Sequence, residues 1–97
     1  MRRISRIDVE SLYRAILSLR DLSEAKRFFR DLLTEAEVAE LGERWKAARL
    51  LSTGTPHTKI IRATGLSSTT VARVAKWVKQ GAGGYRLVLQ RGRTRIR

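Results

Sequence analysis

Apolar residues recur at helical spacing along most of this chain, and that periodicity restricts it to an all-α fold. Val9, Leu12, Tyr13, Ile16 and Leu17 make one stripe. Ala25, Phe28, Phe29, Leu32 and Leu33 make a second, and Leu41, Trp45 and Ala48 a third. No strand-like alternation precedes Tyr85. With 97 residues the chain makes one domain. It has no cysteine, so neither a disulfide nor a thiolate-bound metal can stabilise it. Its core must come from helix packing or from a partner chain.

The junctions divide the pattern into five helices. Asp8 is placed to cap the first, which runs to about Leu19, and the second starts at Ser23. Thr34 and Glu37 spell a capping box for the third, with Leu33 and Val38 at the positions of a hydrophobic staple. Gly54 ends it. Thr55 can cap the fourth, Pro56 suits its first position and Gly65 closes it. The fifth begins at Ser67 or Ser68 and runs to about Gln80, before Gly81, Gly83 and Gly84 break it. Trp45 reads as a core residue, and Phe28 and Phe29 as core or dimer-core residues. The end of the chain is ambiguous. Leu87, Val88 and Leu89 could dock as a short element, whereas Arg91, Arg93, Arg95 and Arg97 suggest a basic arm.

Charge narrows the function. Residues 1–43 hold eight basic and all nine acidic residues; residues 44–97 hold thirteen basic residues and no acid. Solubility alone does not require every acid to be absent from one half, so a polyanion is the expected partner, with nucleic acid first. Enzyme chemistry is not expected. His57 is the single histidine, the carboxylates all precede Arg44, and no nucleophile motif or phosphate loop occurs. No metal or cofactor is expected. No apolar run has the length of a membrane span, and Met1 to Arg6 lacks the apolar core of a signal peptide. A soluble, cytoplasmic protein with no membrane partner follows as the expectation.

Helices four and five read as a helix-turn-helix over about residues 56–80. A short helix is followed by Thr64-Gly65-Leu66-Ser67 and a longer helix. At about 100° per residue, Val71, Val74, Ala75 and Val78 share one face of the fifth helix. Thr69, Arg73, Lys76 and Gln80 lie opposite, with Thr70 and Ala72 flanking them. Small hydroxyls at the start of a recognition helix suit base edges, and cations suit phosphates. Ser68, Thr69, Thr70 and Arg73 are therefore the candidate base contacts. Thr58, Lys59, Arg62, Lys76 and Lys79 are the candidate phosphate contacts. The alternative is that Ser67 to Thr70 are only cap and first-turn residues.

Several stretches together resemble the Trp repressor superfamily, in its YerC/YecD branch. They are Leu12-Tyr13-Arg14-Ala15-Ile16-Leu17-Ser18-Leu19, Phe28-Phe29-Arg30-Asp31-Leu32-Leu33-Thr34 and Arg44-Trp45-Lys46-Ala47-Ala48-Arg49-Leu50-Leu51. Thr64-Gly65-Leu66-Ser67-Ser68-Thr69-Thr70-Val71-Ala72-Arg73-Val74 and Gly83-Gly84-Tyr85 complete them. The resemblance spans roughly residues 8–85. It implies an all-α, intertwined homodimer that presents two helix-turn-helix units to double-stranded DNA, with residues 1–85 as the domain and 86–97 as a basic tail. It also implies an effector site. Two arginines that sandwich L-tryptophan in the family correspond to Arg44 and Arg73. A glycine that makes room for the ligand corresponds to Val74, and a serine one turn after the second arginine corresponds to Trp77. Both positions have become large, which argues against an L-tryptophan pocket; whether any effector acts is open. The expected function is a sequence-specific, homodimeric transcriptional repressor. Its rivals are a non-specific DNA- or RNA-binding basic protein, an effector-gated repressor with a pocket at Arg44, Arg73 and Trp77, and an interaction module without DNA affinity.

Overall fold

The computed structural model describes residues 5–94, with side chains as far as Gly92. Within that range it has six helices: α1 (Arg6–Leu17), α2 (Leu22–Leu32), α3 (Glu35–Ser52), α4 (His57–Thr64), α5 (Ser68–Gln80) and α6 (Gly84–Thr94). No strand occurs among the described residues. Two compact units are distinguished, Met1–Val38 and Ala39–Arg97. Met1 to Ile4, Arg95, Arg97 and the side chain of Arg93 lie outside the description, so the arginine arm is described only in part.

Helix starts in the first unit follow local hydrogen bonding. Ser5, not Asp8, caps α1: its Oγ accepts the Asp8 N–H at 3.2 Å. Asp8 instead occupies the first turn, where a carboxylate meets the positive end of the helix dipole. Asp21, not Ser23, caps α2 by accepting the Glu24 N–H at 2.9 Å, and Glu24 accepts the Arg20 N–H at 2.9 Å. The expected capping box is present before α3. The Thr34 N–H donates to Glu37 Oε1 at 2.9 Å and the Glu37 N–H to Thr34 Oγ1 at 3.1 Å. Phe28 and Phe29 meet edge to face, 5.5 Å between ring centroids. Both rings are only half-buried, and neither α1 nor α2 buries a residue. Tyr13, Leu17 and Leu32, members of the two stripes, are 58%, 82% and 47% exposed and the other members only partly buried, so this unit does not enclose its apolar stripes.

The second unit holds the buried core. Ala47 and Ala48 from α3, Ile60 from α4, and Val71 and Val74 from α5 pack together. Trp45, Leu50, Leu51, Ile61, Leu66, Val78 and Tyr85 lie around them, partly buried. Trp45 thus sits at the edge of the core, not at its centre, with its ring stacked on Tyr85 at 6.5 Å. Ala47 and Ala48 thus bring α3 into the core of the α4–α5 pair through small side chains. Gly54, at φ +83°, ends α3 as expected. Thr55 does not cap α4; Pro56 is the N-cap residue and gives no side-chain bond, while the Thr55 hydroxyl lies 3.3 Å from that of Thr53.

The ambiguous end of the chain is helical as far as Thr94, without a break at residue 85. Tyr85 and Leu89 are partly buried, and Leu87 and Val88 are about half exposed. No helix among the described residues is long and apolar enough to cross a membrane.

Candidate nucleic-acid interface

The turn between α4 and α5 is built from three side chains and one glycine. Gly65 ends α4 in the left-handed region, φ +76°, and its N–H returns to the Ile61 carbonyl at 2.9 Å. A side chain there would cost about 1–2 kcal/mol. Thr64, the first residue of the expected turn, is buried; its hydroxyl donates to the Ile60 carbonyl at 2.7 Å and accepts the Leu66 N–H at 3.2 Å. Ser67 caps α5: its Oγ accepts the Thr70 N–H at 3.1 Å and lies 3.0 Å from Thr70 Oγ1. The Thr64 signal was legible only as a hydroxyl one residue before the turn glycine.

The faces of α5 divide as its periodicity requires. Val71 and Val74 are buried, whereas Ser68, Thr69, Arg73, Lys76 and Lys79 are exposed. Thr70 differs from its neighbour Thr69. It is half-buried and its hydroxyl is tied to the cap. On α4, Thr58, Lys59 and Arg62 are exposed while Ile60 is buried. Since α4 packs on α5, one pair of helices carries both sets of polar side chains. Lys76 extends its Nζ over the Trp77 ring, 5.5 Å from the centroid.

The residues of the suggested effector site are placed differently. Arg44 is paired through Nη2 with Glu40 Oε2 at 2.8 Å, and its Nε is buried with no hydrogen-bond partner among the described residues. Arg73 is exposed. Trp77 is 48% exposed. It lines an open apolar groove of about 490 Å³ together with Trp45, Gly81, Ala82, Tyr85 and Val88. Neither Arg44 nor Arg73 lines that groove. No group of His, Asp or Glu side chains among the described residues could hold a metal ion.

A family model described as Trp repressor protein matches residues 8–93. The chain belongs to the Trp repressor family. The match runs over all of α2 to α5 and most of α1 and α6. This Trp repressor family member is 39% identical over 84 residues to the protein YerC of Bacillus subtilis (strain 168), spanning 87% of this chain and 81% of YerC. Its fold is similar to that of a TrpR-like protein from Eubacterium eligens ATCC 27750. There the TM-score is 0.84, at 38% identity, with 90% of each chain covered. A second crystal structure, from Staphylococcus aureus, matches with a TM-score of 0.85 at 28% identity, covering 96% of this chain and 93% of that one. The all-α Trp repressor-like fold expected from the sequence, in the YerC branch, is therefore the fold of this chain.

Proposed function

We propose that this Trp repressor family member is a sequence-specific DNA-binding transcriptional regulator, a repressor that acts in the cytoplasm as a homodimer. One observation carries the reading. The α4–α5 pair buries Ile60, Val71 and Val74 on one side and exposes Lys59, Arg62, Thr69, Arg73 and Lys76 on another, within a segment that has no acidic residue. Thr69 is assigned to a base edge, because its hydroxyl is exposed beside the start of α5 while that of Thr70 is tied to the cap. Ser68 and Arg73 support it. Thr58, Lys59, Arg62, Lys76 and Lys79 are assigned to phosphates. Two such units would reach successive major grooves about 34–36 Å apart.

Selection of bound fragments from random DNA, followed by salt titration, tests the assignment. A motif of two half-sites is expected. Thr69→Ala should cost about 1–3 kcal/mol on that motif and little on random DNA. Lys59→Ala should weaken both equally and make the salt dependence shallower by roughly one counterion. Equal losses on both DNAs for Thr69→Ala would remove the base-reading role. Added L-tryptophan should leave affinity unchanged, since the large side chains Val74 and Trp77 stand where the family's ligand needs room.

The homodimer rests on the exposed apolar stripes of α1 and α2. Tyr13, Leu17, Leu32 and half-buried Phe28 and Phe29 are not enclosed by their own unit. Sedimentation at micromolar concentration should show two chains, and Phe29→Ala should shift the equilibrium towards one. A stable, folded single chain would contradict this part of the reading.

A further inference from the structure

The last four carbonyls of a helix have no partner within it, and the aligned peptide dipoles leave that end negative. In both helices of the α4–α5 pair, some of these carbonyls are met by a cation from outside the pair. Lys46 of α3 donates from Nζ to the Ala63 carbonyl at 3.1 Å, at the end of α4. Arg86 of α6 donates from Nε to the Val78 carbonyl at 3.1 Å and from Nη2 to the Lys79 carbonyl, at the end of α5. One further end carbonyl of each helix is met by backbone: Gly65 N–H donates to the Ile61 carbonyl and Gly81 N–H to the Trp77 carbonyl, both at 2.9 Å. The planar fork of arginine suits two neighbouring carbonyls at once. Lysine suits one.

We propose that Lys46 and Arg86 are positioning residues of the DNA-binding pair: each caps the C-terminal end of one helix and so holds α4 to α3 and α5 to α6. Their charge is directed at helix ends and not at phosphates. The inference rests on the DNA-binding reading for its functional consequence, but not for its structural one. Two of the thirteen cations in residues 44–97 are thereby set apart from the phosphate-binding set. Charge alone does not distinguish them from Lys59 or Arg62.

The full-length chain carrying Arg86→Met or Lys46→Met, compared with Lys59→Met, tests this. Methionine keeps the apolar stem and removes the donors. Two quantities are read: affinity for the selected DNA with its salt dependence, and amide hydrogen exchange of the free protein. Arg86→Met should lower affinity roughly three- to tenfold while leaving the salt slope unchanged. It should also speed exchange in the last turn of α5 and the first turn of α6. Lys46→Met should do the same at the end of α4. Arg86→Lys and Lys46→Arg, which keep a donor, should restore much of the protection. A salt slope that falls by about 0.9, as for a lost phosphate contact, would overturn the proposal. So would unchanged exchange at the helix ends. If the unaltered protein binds no DNA, the DNA-binding reading fails by itself and exchange alone decides: faster local exchange upholds the capping role, and unchanged exchange ends it.

Discussion

Ile60→Ala is expected to destabilise the protein by about 2–5 kcal/mol. Ile60 is fully buried, and its neighbours in the core are Ala47, Ala48, Val71 and Val74. None of these has a long side chain that could swing into the space left behind. The lost transfer energy and an unfilled cavity therefore add. The cavity would open between α4, α5 and α3, where the angle of the proposed DNA-binding pair is set. Urea unfolding at fixed protein concentration measures the effect as a lower midpoint at unchanged slope. Ile60→Val, which removes one methyl group, should cost only about 0.5–1.5 kcal/mol. A loss below about 1 kcal/mol for the alanine variant would show that the helices close over the gap.

Gly81→Ala is expected to cost about 3 kcal/mol, at the upper end for overpacking. Gly81 follows α5 with an ordinary negative φ, so backbone strain is not the reason. The obstacle is the Trp77 carbonyl oxygen, into which a Cβ at position 81 would run. That oxygen belongs to the helix backbone and accepts the Gly81 N–H at 2.9 Å. A flexible side chain could step aside, but a helix carbonyl cannot without opening the last turn of α5. The turn leads through Gly83, at φ +94°, into α6 and Arg86. Gly81→Ala should therefore loosen both Tyr85 against Trp45 and Arg86 against the end of α5. Thermal unfolding with near-ultraviolet circular dichroism, which reports the stacked aromatic rings, measures this. A variant that keeps both melting temperature and aromatic signal would show that the turn adjusts freely.

Much of the fold was legible in short-range chemistry. The Thr34–Glu37 box, the Ser67 cap, the Gly65 turn and the buried face of α5 all depend on residues three or four positions apart, and that is the reach of helix geometry. Errors at helix starts were also short-range. Asp8 and Ser23 were plausible caps, but the caps are Ser5 and Asp21, each accepting the N–H three residues on. Thr55 gives no cap either: Pro56 holds the N-cap position of α4 without a side-chain bond, and the Thr55 hydroxyl meets that of Thr53.

The end of the chain and the supports of the α4–α5 pair were of another kind. Arginine-rich composition concealed a helix over Gly84–Thr94, because propensity and charge compete there and docking of Tyr85 beside Trp45 is a tertiary contact. Trp45 read as central because its stripe is central, yet burial depends on which helices cover it. The sequence by itself determined the all-α class, the helix-turn-helix and the faces of its second helix, since each follows from the period of one helix. Only the tertiary structure decided which cations face solvent and which cap a helix: Lys46 meets a carbonyl seventeen residues away and Arg86 reaches back seven and eight. A donor and a carbonyl so far apart along the chain meet only once the helices have packed, and no local pattern of residue types encodes that meeting.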